Sequence, residues 1–130
     1  MTYSNIYECI KDDSEFLKYF HPFSKAKNNE EAAVETFNVM KGHQQEKKCY
    51  FVSNEKGYIF YAKKELISFG IKPEHRNKRT FKLFWSLIKE NIGKHFYCYL
   101  YSNNTRAINF LIKSGMKTKK ADKLLTLLNI

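Results

Sequence analysis

The chain has 130 residues, 43% of them hydrophobic and 16% aromatic, with a formal net charge of +10 at pH 7. This composition excludes a disordered chain. The length points to one domain over 1–130, and no apolar run reaches the roughly 20 residues that cross a bilayer. The charge calls for something acidic (nucleic acid, an acidic protein surface or a phosphate-rich cofactor), unless the lysines simply keep the surface solvated. The opening residues MTYSNIYECIKDD carry no basic segment followed by an apolar stretch, so no secretory leader and a cytoplasmic location are expected. Cys9, Cys49 and Cys98 are scattered singly beside aromatic residues. That spacing argues against a disulfide framework and against a zinc site, and predicts reduced cysteines packed in strands.

In chain order, residues 4–10 alternate weakly and predict a first strand. Asp13 is placed to cap a short helix over 14–20, with Phe16, Leu17 and Phe20 turned inward, and His21-Pro22 ends it. Asn29, followed by Glu30 and Glu31, opens a helix to about Met40 with Ala33, Phe37 and Met40 on one face. After Gly42 the pattern turns to strands at 49–53 and 58–61, joined by the turn Asn54-Glu55-Lys56-Gly57. A third strand covers 66–71 and is closed by Pro73. A helix over 79–91 carries the stripe Phe81, Phe84, Trp85, Ile88 and Ile92 and stops at Gly93. The strand 96–101 sets Tyr97, Tyr99 and Tyr101 on one face, predicted as a buried aromatic ladder. Asn104 caps a helix with Ala107, Ile108, Leu111 and Ile112 that ends at Gly115, and 116–120 with 124–129 closes the chain as a hairpin. The order β-α-α-β-β-β-α-β-α-β-β defines an α+β fold, a mixed sheet of about six to seven strands flanked by about four helices. The unit 66–101 should cross over right-handed between parallel strands.

Residues 66–116 resemble the acetyl-CoA-binding half of the GNAT N-acetyltransferase superfamily. Members of that family carry a strand ending in Pro, a turn of the form Arg/Gln-x-x-Gly-x-Gly/Ala, and a helix. Pro73-Glu74-His75-Arg76-Asn77-Lys78 matches the approach and the arginine. Members then have a strand and a helix of the form Asn-x-x-Ala-Ile-x-Phe-Tyr-x-x-x-Gly-Phe. Asn104-Thr105-Arg106-Ala107-Ile108-Asn109-Phe110-Leu111-Ile112-Lys113-Ser114-Gly115-Met116 follows it closely. The resemblance implies a GNAT-like fold and, in an active member, acetyl-CoA held by Ile71, Arg76, Asn77, Lys78, Arg79 and Asn104, with the pyrophosphate on backbone N–H groups at the helix start. It also marks departures. The two glycine positions of the turn are Arg79 and Phe81, and the position of the tyrosine that protonates the departing thiolate is Leu111. Glycine lets the backbone approach a phosphate without a side chain between them. The loop is therefore altered at both places, and no bound cofactor is expected.

Candidates for the missing chemistry are few. Glu65 at the start of the third strand, and Glu74 and His75 near its end, are candidate general bases, and Tyr97, Tyr99 and Tyr101, Tyr99 foremost, are candidate substitutes for the missing tyrosine. No metal site is indicated. Lys72, Arg76, Lys78, Arg79 and Lys82 concentrate at the turn, and Lys113, Lys117, Lys119, Lys120 and Lys123 near the end. Such patches give salt-dependent affinity for nucleic acid, whereas base recognition needs exposed aromatics, and these aromatics fall on stripes read as core-facing. Three readings follow: a GNAT-like fold without catalysis, serving a binding or structural role; an active acetyl-CoA-dependent N-acetyltransferase with an atypical loop; and a basic domain that binds nucleic acid or acidic proteins. The run KRTFKLFWSLIKEN followed by YSNNTRAINFLIKSGM is similar in style to the small GNAT-like internal virion proteins of podoviruses, where basic residues also replace the glycines. That resemblance implies protein partners, other virion proteins among them, and association with a phage particle.

Overall fold

A computed structural model describes residues 1–130. Three helices come first: α1 (Tyr3–Ile10), the single turn α2 (Phe16–Tyr19) and α3 (Asn29–Glu46). Then follow β1 (Tyr50–Asn54), β2 (Gly57–Ala62), β3 (Glu65–Ile71), a 3₁₀ turn at Pro73–His75, α4 (Lys78–Ile92), β4 (Tyr97–Tyr101), α5 (Thr105–Lys113), β5 (Lys117–Ala121) and β6 (Leu125–Asn129). The six strands form one mixed sheet in the order β1-β2-β3-β4-β6-β5. With five helices and six strands, the α+β architecture is as expected.

The first element is a correction. Residues 4–10 form a helix, because Ile6, Cys9 and Ile10, at i, i+3 and i+4, are its buried positions. A seven-residue stretch fits both periods, and packing against α3 selects the helical one. The helix expected over 14–20 shrinks to one turn, and Leu17 lies exposed. The cap of α3 is Asn28, whose side chain accepts from Glu31 N at 2.9 Å. Asn29 instead donates its amide to the carbonyls of Ile10 and Asp13, at 2.9 and 2.8 Å. Helix α3 also runs past Gly42 to Glu46. An interior glycine costs about 1 kcal/mol, which the helix-favouring residues on either side offset.

Two cores sit on opposite faces of the sheet. One joins α4 and α5 to the strands through Ile59, Leu66, Phe84, Ile88, Cys98, Leu111 and Leu128. The α4 stripe reads as expected, with Phe84, Ile88 and Ile92 buried and Phe81 and Trp85 packed at its edge. Gly93 and Gly115 follow α4 and α5 at φ of +109° and +120°, a region that side chains disfavour. The other core joins α1 and α3 to Tyr58 and Phe60. Alternate residues of β2 thus feed both cores.

Strands β3 and β4 are parallel, as expected for this unit, yet only one registered pair joins them, Glu65↔Tyr97. Beyond that pair the ladder is not continued. The second core covers the sheet only over β1–β3. On β4 the ladder of Tyr97, Tyr99 and Tyr101 does share a face, but it is 38%, 49% and 38% exposed, not buried. Periodicity correctly grouped the three rings; the helices that would cover them lie over the other half of the sheet.

Candidate functional site

The turn after β3 is where the chain could hold a phosphate-bearing cofactor. Pro73 starts the 3₁₀ turn, and Asn77 caps α4 by accepting Thr80 N at 2.9 Å through its side chain and Phe81 N at 2.9 Å through its carbonyl. Two donors at the start of the helix thereby have partners within the chain. Lys78 and Arg79 are exposed, and neither forms an ion pair.

Arg76 turns inward. Its Nε donates to the carbonyl of Ile71 at 2.9 Å, its Nη2 to the carbonyl of Cys9 at 3.2 Å, and its Nη1 to Asp13 Oδ2 at 2.7 Å. Arg106 of α5 approaches the same carboxylate with both terminal nitrogens, Nη1 to Oδ1 at 3.1 Å and Nη2 to Oδ2 at 2.8 Å. Its guanidinium also lies 4.4 Å from the centre of the Tyr19 ring. Asp13 is only 5% exposed. Burial pushes its carboxyl up, but the hydrogen bonds from Arg106 and Arg76 outweigh burial and hold it below the usual carboxylate range. One carboxylate and two guanidiniums thus tie the end of α1, the turn after β3 and α5 together.

The second glycine position of the turn carries a ring with neighbours on both sides. Phe81 meets Phe110 edge-on at 5.0 Å between centroids, and Phe110 meets Phe69 of β3 at 5.6 Å. These rings occupy the space between α4 and α5 in front of β3. Leu111 is fully buried in the core below them. Asn104 caps α5, accepting Ala107 N at 3.3 Å.

The remaining candidates do not converge on one spot. Glu65 begins β3, 3.8 Å from Lys47, and pairs with Tyr97. His75 lies past the other end of that strand, roughly 20 Å away at 3.3 Å per residue. Tyr99 lies on the uncovered face, on a depression of about 330 Å³ that Lys64, Tyr97, Lys119 and Leu127 also line. Burial pushes the Cys9 and Cys98 thiols up to about 12, so neither is a nucleophile at neutral pH. Cys9 is in helix α1 and Cys49 just precedes β1, so only Cys98 is a strand cysteine as expected. No local pattern marks Asp13 as the partner of two arginines, or Arg106 as one of them, although Arg106 lies inside the asparagine-helix block.

No protein-family model matches the chain, and no curated protein sequence does. Solved structures do. The microcin C7 self-immunity acetyltransferase MccE, solved with acetyl-CoA and AMP, is 14% identical with a TM-score of 0.58, covering 98% of this chain and 86% of that one. The PaiA N-acetyltransferase of Thermoplasma acidophilum, solved with coenzyme A, is 17% identical with a TM-score of 0.58, covering 98% and 91%. A GNAT-family acetyltransferase from Bacillus anthracis is 15% identical with a TM-score of 0.52, covering 98% and 87%. At such identities the likeness concerns the fold alone, and the chain has the fold of the GNAT acetyltransferases. No helix is long and apolar enough to cross a membrane.

Proposed function

We propose that this acetyltransferase-like protein keeps the GNAT fold without acetyl transfer and serves as a non-catalytic binding or structural protein. The observation that carries this reading is the inward turn of Arg76, whose three guanidinium nitrogens all engage acceptors of the chain itself. An arginine held this way has three of its five N–H donors already engaged within the chain, so less of its fork is left for a phosphate. The ring contact of Phe81 with Phe110 supports the same conclusion, since an elongated cofactor resting on the start of α4 would have to displace it to reach the sheet. A leucine at the thiolate-protonating position supports it again, because a buried leucine has no proton to give.

On this reading no acetyl-CoA is bound, and Ile71, Arg76, Asn77 and Asn104 hold the fold together. Its partners are macromolecules, and a place in a virion is the form of this reading suggested by the similarity in style of the runs 78–91 and 101–116 to small internal phage proteins. Amide hydrogen exchange over residues 77–81, with and without acetyl-CoA, tests the proposal. Unchanged exchange is the expected result; protection confined to those amides would overturn it. That outcome would favour an active N-acetyltransferase with an atypical loop. One observation speaks for that second reading: β3 and β4 separate after a single pair, which leaves the sheet open beside the turn.

A further inference from the structure

Half of one face of the sheet, over β4, β6 and β5, has no helix on it. Across β4 and β6 the register sets Tyr97 against Asn129, Tyr99 against Leu127 and Tyr101 against Leu125, and directly paired residues share a face. The row of rings continues beyond the strand, for Tyr101 lies 5.3 Å from the His21 ring and His21 lies 4.7 Å from Phe20. Tyr97 and Tyr99 stand edge to face, 5.9 Å apart with their planes at 84°, so they do not close on each other as a stacked pair. Rings on alternate residues of one strand repeat at about 6.7 Å, close to the backbone repeat of an extended single-stranded nucleic acid.

The charge beside this row is mainly positive, and its two carboxylates, Glu65 opposite Tyr97 and Glu35 beside His21, each have a basic neighbour. Lys119 and Lys64 line the depression with Tyr97 and Tyr99, although the Lys64 ammonium donates to the carbonyl of Ile92 at 3.2 Å, and Lys120 pairs with Leu127, which puts it on the side of Tyr99. None of these three lysines forms an ion pair, and the nearest strand carboxylate, Glu65, has Lys47 beside it. An uncovered sheet face with spaced aromatics and unpaired cations has the chemistry that single strands require: rings on which bases stack and ammonium groups for phosphates. A duplex hides its bases from such a face. The excess of +10 over the whole chain adds long-range attraction for a polyanion.

We propose that the uncovered face of β4, β6 and β5 binds single-stranded nucleic acid, with Tyr97, Tyr99 and Tyr101 stacking on bases and Lys119 and Lys120 meeting the phosphates. The site lies apart from the turn after β3 and stands whether or not that turn holds a cofactor.

The test is fluorescence anisotropy with labelled single strands of about 12 thymidines or uridines, within the span of known single-strand sites. The full chain is compared with Tyr99→Ala and Tyr99→Phe. Tyr99→Ala changes no charge at neutral pH, and its site is half exposed, so the variant should melt as the parent does. Binding should weaken by about tenfold or more in Tyr99→Ala, and Tyr99→Phe, which keeps the ring, should restore it. A duplex of equal length should compete poorly. Tighter binding of uridines than thymidines would assign the ligand as RNA, and the reverse as DNA. Equal binding by Tyr99→Ala, or by the duplex, would overturn the proposal in favour of charge alone. Absence of binding at low salt would overturn it outright. So would a dimer by sedimentation that Tyr99→Ala dissociates, since a second copy would then cover the face.

Discussion

At Asp13 burial opposes ionisation, and two guanidiniums decide the balance. Because the folded carboxyl sits below its ordinary value of 3.8, it takes up its proton at lower pH than in the unfolded chain. Its contribution to stability is present above about pH 4 and is lost as pH falls through the folded-state value. Asp13→Asn leaves Arg76 and Arg106 facing each other without a counter-charge. A fully buried pair would lose more, but both arginines are about one-third exposed, so a cost of roughly 2–3 kcal/mol is expected. Urea denaturation at neutral pH should show that loss, and melts taken towards pH 3 should show it shrinking as the wild-type carboxylate is protonated. A difference that grows in acid would contradict the assignment.

The thiols give a second residue-scale expectation. A thiol-exchange reagent at pH 8 should label Cys49 alone in the native protein and all three cysteines after denaturation, since Cys9 and Cys98 are buried and Cys49 is not. Fast native labelling of two or more would contradict it. The sequence reading found Arg76 through its place in a motif but took Asp13 for a helix cap. A cap is a local signal, whereas the arginines that engage Asp13 lie 63 and 93 residues further along the chain. No spacing rule reaches that far.

At the scale of elements, the β2–β3 pair depends on close approach. A Cβ at Gly57 would lie 2.0 Å from the carbonyl oxygen of Gly70 and 2.9 Å from the Phe84 ring. Both neighbours are fixed, one by the backbone and one by the core, so Gly57→Ala should cost about 1–3 kcal/mol by overpacking. Urea midpoints measure this directly; an unchanged midpoint would show that the strands part freely. Phe81 is half-buried against Phe110, so Phe81→Ala should cost roughly 1.5–3 kcal/mol, less than a fully buried phenylalanine. A change near 0.5 kcal/mol would show that the ring does not hold α4 against α5. Most elements were legible because their periods are long and their stops clear. α1 was not, being too short to separate two periods. The tyrosine strand was legible only in part, because alternation tells which residues share a face and not which face a helix covers.

At the scale of the molecule, one sheet serves two cores. Ile59 packs on the side of α4, while Tyr58 and Phe60 beside it pack on the side of α1 and α3. Neither core can dissolve without exposing the strand that supports the other. Residues 1–130 should therefore unfold as one cooperative unit, with calorimetric and van't Hoff enthalpies equal; two separated transitions would contradict this. The same sheet leaves half of one face bare. The fold could be read from the order of elements, because burying two helical stripes against strands admits few arrangements. The state of the cofactor loop could be read only in part. The sequence names Arg79 and Phe81 where glycines are expected, but only the folded chain turns Arg76 towards Asp13 and sets Phe81 against Phe110.

The central claim is that this GNAT fold has closed its cofactor loop upon itself. Calorimetric titration of the full chain with acetyl-CoA at moderate salt, with a thermal melt on the same sample, tests it most directly. The account predicts no saturable heat and no rise in Tm beyond that produced by an unrelated polyanion. A one-to-one isotherm would contradict it, together with a rise of several degrees at about 100 times the dissociation constant, where binding adds about 2.7 kcal/mol.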